Sequence, residues 1–267
     1  MRSGSQKVES DPYPTYLGIA FVVASAAAFG AMAILARVAY AAGVDVVTLL
    51  ALRFAIAAVS MLVIARWRGV RFPAGATLGA LILLGAIGYG GQAASFFTAL
   101  TLAPAGLVAL LLYLHPAFVA VLAAVFLHER INAPKLAALA MALTGTALTI
   151  APALRDGSRS AMVPDAATGI GFAIAAATFY AVYIVVGSWL GRRARPLAMS
   201  TVVIVSAAAV FASAALIRGP HWPQTASGWV AIIAIALVST VAAITLYFAG
   251  LERIGPTRAS TLSTNHS

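Results

Sequence analysis

Charge is scarce in this sequence. Of 267 residues only 9% are Asp, Glu, Lys or Arg, while 62% are hydrophobic; soluble domains carry about 25% charged residues. A soluble fold of this length could not cover its surface with so few charges, which excludes an ordinary water-soluble enzyme. Cysteine is absent, which excludes disulfides, thiolate metal sites and a cysteine nucleophile. The acidic residues are Glu9, Asp11, Asp45, Glu129, Asp156, Asp165 and Glu252, all in loops, termini or ends of apolar runs. A proton- or sodium-coupled carrier usually keeps a carboxylate inside the membrane, so this absence favours facilitated diffusion down a gradient. There is no in-span catalytic set, no His-Glu-x-x-His and no Gly-rich phosphate loop, hence no expected catalytic residue, metal or cofactor. A cleavable signal peptide is also missing: Met1–Pro14 is polar, and the first apolar run is too long for a signal core. That run is expected to stay as an anchor.

What is present is a series of apolar runs, each long enough to cross ~30 Å of hydrocarbon. Runs such as Leu78–Leu84 and Val230–Val238 lack the alternation of barrel strands, and backbone in lipid must satisfy its own hydrogen bonds. An all-α membrane protein follows. The runs predict eight full spans: Tyr16–Ala36, Val46–Ala65, Thr77–Leu100, Ala105–Leu127, Leu136–Ala151, Thr168–Leu190, Leu197–Ile217 and Gly228–Leu251. The net charge of +10 does not predict a nucleic-acid partner, because the cations sit in short clusters between spans. With the N-terminus in the cytoplasm, inner segments hold 12 Lys and Arg and outer loops hold 3, Arg155, Arg159 and Arg218, as the positive-inside rule requires. Fifteen Arg against two Lys, with abundant Ala, points to a GC-rich bacterial genome and so to a bacterial inner membrane.

The chain repeats itself at a constant offset of 151. Gly18-Ile19-Ala20-Phe21 falls on Gly169-Ile170-Gly171-Phe172, Ala99-Leu100 on Gly250-Leu251 and Phe96 on Tyr247. Five spans per repeat is an odd number, so the halves insert with opposite orientation. The loop after the third span, Thr101–Pro104, is uncharged, whereas its counterpart, Glu252–Gly255, carries Arg253. An inverted repeat is expected, with residues 1–152 as the first unit and 166–267 as the second.

The segment Leu107-Val108-Ala109-Leu110-Leu111-Leu112-Tyr113-Leu114-His115-Pro116, followed by Leu127-His128-Glu129-Arg130, resembles the fourth-span signature of EamA-type transporters of the drug/metabolite transporter superfamily. Arg53-Phe54, Gly145 and Gly255-Pro256-Thr257-Arg258-Ala259-Ser260 are similar to further family features. The resemblance spans essentially the whole chain and implies a ten-span design exporting small metabolites, in flavour the exporters of amino acids. His128 stands where the family commonly has glycine. By the offset, His115-Pro116 falls on His266-Ser267, so the expectation here is eight full spans plus a stub of the ninth. The rival readings are an intramembrane enzyme and a non-transporting scaffold or truncated remnant.

A carrier needs a polar cavity near the midplane, lined by both repeats. Gly85, Gly88, Tyr89, Gln92 and Phe96 share one face of the third span at helical spacing, and the offset pairs them with Ala236, Ser239, Thr240, Ala243 and Tyr247 of the eighth. Tyr180 and Tyr183 add aromatic surface from the sixth span, and Tyr113 and His115 stand beside Pro116 in the fourth, where a kink is expected. The substrate-binding candidates are thus Tyr89, Gln92, Phe96, Tyr113, His115, Tyr180, Tyr183, Ser239, Thr240 and Tyr247. The competing account of these faces is plain helix packing through small residues and hydroxyls; for His115 it is a neutral ring that satisfies the broken helix. Arg53, Pro116, Glu129 and Arg130 are read as gating or structural. Arg53 lies two turns inside the second span and is expected to snorkel to the outer interface or bond freed carbonyls, with attraction of a substrate carboxylate as the alternative. Expected partners are a small-molecule substrate and the lipid bilayer, and one chain suffices for the design.

Overall fold

The computed structural model describes residues 15–126, 144–145, 166–191 and 194–254. Among these residues the secondary structure is entirely helical. Helix α1 covers Thr15–Ala41 and α2 Val46–Trp67. The third span is composite, with α3 (Gly75–Leu83), a π-helical segment π1 (Leu84–Tyr89) and α4 (Gly90–Leu102). The fourth is split into α5 (Ala105–Leu112) and α6 (His115–Phe126). Then come α7 (Ala166–Leu190), α8 (Pro196–Arg218), α9 (Ala226–Ala236), π2 (Leu237–Ala242) and α10 (Ala243–Ile254).

Seven helices in this set are long and apolar enough to cross a membrane: Tyr16–Ala41, Val46–Trp67, Gly75–Leu102, Ala105–Leu122, Ala167–Leu190, Pro196–Arg218 and Ala226–Tyr247. They coincide with seven of the eight expected spans. The fifth, apart from helical Thr144 and Gly145, and the stub of the ninth lie outside the described residues. Large apolar side chains such as Ile34, Val59, Ile87, Leu216 and Val230 face outward and are more than half exposed. In water such a surface would be an aggregation hazard; for a multi-pass membrane protein it is the lipid-facing wall.

Local chemistry sets the helix ends. Gly43 turns the chain with φ +85°, a left-handed conformation that favours glycine. Asp45 then caps α2, accepting from the N–H groups of Val47 and Thr48. Pro196 opens α8 at a first-turn position, where its missing N–H costs nothing. The two turns meet at one end of the bundle: Gln224 N–H donates to Ala42 O, and His221 N–H to Thr48 Oγ1, both at 3.0 Å.

Packing is most extensive in three pairs: the second span with the seventh, the third with the sixth, and the first with the eighth. Small residues allow the approach, as usual where lipid removes the hydrophobic drive for helices to associate. Gly85 is the tightest point in the third span: a Cβ there would sit 2.5 Å from Val203 O and 2.8 Å from Val203 Cα. Ser25 ties the first span to the eighth by donating to Ala243 O at 2.7 Å.

Candidate functional site

Arg53 lies in the first half of α2, about two turns from its start. The expectation that it snorkels is not met, nor does it bond freed carbonyls. Its side chain is 2% exposed and points across the bundle. Nε donates to Thr240 Oγ1 at 3.0 Å and Nη2 to the Tyr89 hydroxyl at 3.3 Å. The guanidinium carbon lies 4.8 Å from the Phe54 ring centroid and 5.1 Å from that of Phe97. Ring faces attract a cation electrostatically, so two phenyl groups and two hydroxyls replace the water that snorkelling would have supplied.

Both hydroxyls come from the π segments. Tyr89 ends π1 midway along the third span, and Thr240 lies within π2 midway along the eighth. A π turn inserts one residue into the helix and re-aims the side chains that follow, and such turns recur at functional sites. In π2 the wide turn leaves Ile235 O to accept from Thr240 Oγ1, five residues on, at 3.0 Å. Tyr89 and Thr240 are also the pair equated by the offset of 151. Ser239, next in line, is fully buried, and its hydroxyl has no hydrogen-bond partner among the described residues.

From Arg53 an aromatic row runs across the bundle. Phe211 stacks on Phe54 at 5.6 Å, Phe54 meets Tyr89 edge-on at 5.5 Å, and Tyr89 lies 5.5 Å from Tyr183. Tyr183 stacks with Tyr180 at 6.2 Å, and Tyr180 contacts His115 at 4.7 Å. Side chains from the seventh, second, third, sixth and fourth spans are thereby brought together. The helix break expected at Pro116 occurs as the turn Tyr113–Leu114. His115 Nδ1 meets the freed Leu112 carbonyl at 2.9 Å, which requires a proton on Nδ1 and leaves Nε2 for another partner.

Other candidates stand further off. Tyr113 is 47% exposed; it and half-buried Tyr247 lie near Tyr180. Phe96 packs against Phe97 in the core at 5.5 Å rather than in the row. Gln92 is half-buried one turn beyond Tyr89. Glu129 and Arg130 lie outside the described residues. Phe54, Phe97 and Phe211 were not among the expected site residues. Phe54 alone carried a signal, its place beside Arg53; Phe97 and Phe211 look like any core phenylalanine.

No His, Cys, Asp or Glu cluster among the described residues could hold a metal. Two surface grooves lie elsewhere. One, of about 760 Å³, lies between the third and sixth spans around Ile87, Gly171 and Phe179. The other, of about 680 Å³, lies at the end of α2 around Arg66, Trp67 and Phe72.

An apolar multi-helix bundle with a buried cation among aromatic and hydroxyl groups marks a polytopic membrane protein. The EamA-like transporter family model matches residues 16–151 and 167–266, and the chain belongs to that family, which is a family of transporters rather than enzymes. One solved crystal structure, described only as "Crystal structure of protein", is similar over 92% of this chain and 85% of that one, with a TM-score of 0.65 and 23% identity; the likeness is one of fold. No curated protein matches.

Proposed function

We propose that the chain works as an exporter or facilitator of small metabolites, amino acids first among them, by alternating access between two inverted five-span repeats. The observation that carries this reading is the pairing of helices. An axis exchanging the two halves would pair the second span with the seventh, and would turn the first–eighth contact into the sixth–third contact. Those are the three most extensive contacts among the described residues. The family match likewise falls in two segments, on either side of residues 152–166, in keeping with units at 1–152 and 166–267. Arg53 bonds Tyr89 of one half and Thr240 of the other, so relative motion of the halves must work on this cluster. The amino-acid assignment leans on the fourth-span resemblance and on the flat aromatic row, which suits an apolar or aromatic side chain.

The experiment is efflux from proteoliposomes loaded with a panel of labelled amino acids. Saturable flux of at least one is expected; none for any of them overturns the reading. Orientation has a convenient test because the sequence lacks cysteine. With the N-terminus in the cytoplasm of a bacterial inner membrane, a single cysteine at Arg68 labels from inside and one at His221 from outside. The reverse pattern would overturn the topology.

A further inference from the structure

Among the described residues the charge on Arg53 has no counter-ion. A guanidinium stays protonated in proteins and offers five N–H donors, of which Arg53 uses two, both on neutral hydroxyls. Among the described residues the ion pair that does occur joins His221 to Asp45 at 3.7 Å, and Asp45 is committed to capping α2, eight residues before Arg53. Burying a lone ion is costly unless it is paired and its donors are satisfied. Ring faces and hydroxyls repay part of that cost and leave three donors over. The group that best completes an arginine is a carboxylate, which takes two parallel N–H bonds at once.

We infer that Arg53 is the anion-recognition residue of the carrier, and that its ligand is the carboxylate of a small acid with an apolar or aromatic body. This rests on the transporter reading and narrows it. The Tyr89, Tyr183 and Tyr180 rings lead away from Arg53 at 5.5 and 6.2 Å steps, so a carboxylate on the arginine lays its body along aromatic surface. The open donors draw the carboxylate in, and once it takes the guanidinium edge formed by Nε and Nη2 it displaces the Tyr89 and Thr240 hydroxyls that now hold that edge. Those hydroxyls sit on the π segments of the third and eighth spans, so their replacement unties Arg53 from both halves together. Ligand binding thereby favours the arrangement in which the halves are free to move, as any population shift requires a ligand to bind one state better than another.

The test uses the full chain purified in detergent, with benzoate and its neutral isostere benzamide as probes and the thermal midpoint as readout. Benzoate is expected to stabilise the protein and benzamide to leave it unchanged. Arg53→Lys keeps the charge but loses the fork, and benzoate should bind about tenfold more weakly; Arg53→Gln should lose the response. Because Arg53→Gln removes a buried group and can fail to fold, Tyr89→Phe and Thr240→Val serve as milder variants, each freeing one donor and strengthening benzoate binding several-fold. The inference is overturned by equal responses to benzoate and benzamide, by no response to benzoate, or by unchanged benzoate affinity in both milder variants. Amino-acid flux that survives Arg53→Gln overturns it while leaving the transporter reading intact. A charge-selective benzoate response without flux of any amino acid supports the anion site and removes the transport claim instead.

Discussion

The third and eighth spans are built alike and held differently. Each is interrupted by a six-residue π segment, Leu84–Tyr89 in one and Leu237–Ala242 in the other, and each sends one hydroxyl to Arg53. The third span meets its neighbour backbone to backbone, Gly85 against Val203, whereas the offset puts Ala236 at the matching position in the eighth. At the π segments the third brings aromatic surface, with Tyr89 in the ring row, while the eighth brings small hydroxyls, Ser239 and Thr240. Duplicated architecture thus supplies the hinge-like interruption twice and the ligand-shaped surface once. The charge is one-sided as well, since the offset puts buried Ile204 where the first half has Arg53.

The contrast breaks most easily at Gly85. A methyl group there overlaps the Val203 backbone, which cannot swing aside as a side chain would, so Gly85→Ala should cost roughly 1–3 kcal/mol of stability. Thermal unfolding in detergent measures this against Gly79→Ala in the same span, where nothing lies within 4 Å of the added carbon and no loss is expected. Equal behaviour of the two variants would remove the argument that the third span is set by backbone contact.

A smaller effect separates the two hydroxyls on Arg53. Thr240 Oγ1 accepts at 3.0 Å and also donates to Ile235 O, whereas Tyr89 accepts at 3.3 Å. Side-chain hydrogen bonds between membrane helices average about 0.6 kcal/mol and reach about 1.7. Thr240→Val should fall near the upper figure and Tyr89→Phe near the average, in the same unfolding assay. The reverse order would mean that the ring row, not the π2 hydroxyl, positions the arginine.

Much of this arrangement was legible in the sequence, and the reasons for the remainder are physical. The spans could be read because lipid imposes one length and one composition, and Tyr89, Thr240, Tyr180 and Tyr183 could be nominated because spacing and offset put them on shared faces. The π segments could not be read. A wide turn has no local sequence signature and exists only where tertiary packing supports it, as at Gly85 against Val203. The fate of Arg53 was equally hidden. Its own span allows snorkelling, and the choice was made by partners 36 and 187 residues away in sequence. Phe97 and Phe211 were missed for the same reason, because only the fold tells a phenylalanine beneath a cation from one in the core.

The weakest contrast lies at the end of the bundle where the first–second and seventh–eighth turns touch. Asp45 caps α2 through two N–H groups, at 3.3 and 3.2 Å, and Thr225 caps α9 through one, at 3.3 Å. Loss of a cap costs about 1 kcal/mol, so Asp45→Ala should cost about that much and Thr225→Ala about half. The His221–Asp45 pair is different in kind. Its side chains are 69% and 37% exposed and 3.7 Å apart, and exposed pairs contribute between nothing and about 1 kcal/mol. His221→Ala should therefore shift the unfolding midpoint by only a few tenths of a kcal/mol equivalent, since the backbone N–H bond from residue 221 to Thr48 survives the substitution. A loss as large as that of Asp45→Ala would mean that the imidazole, rather than the backbone, locks the two turns together.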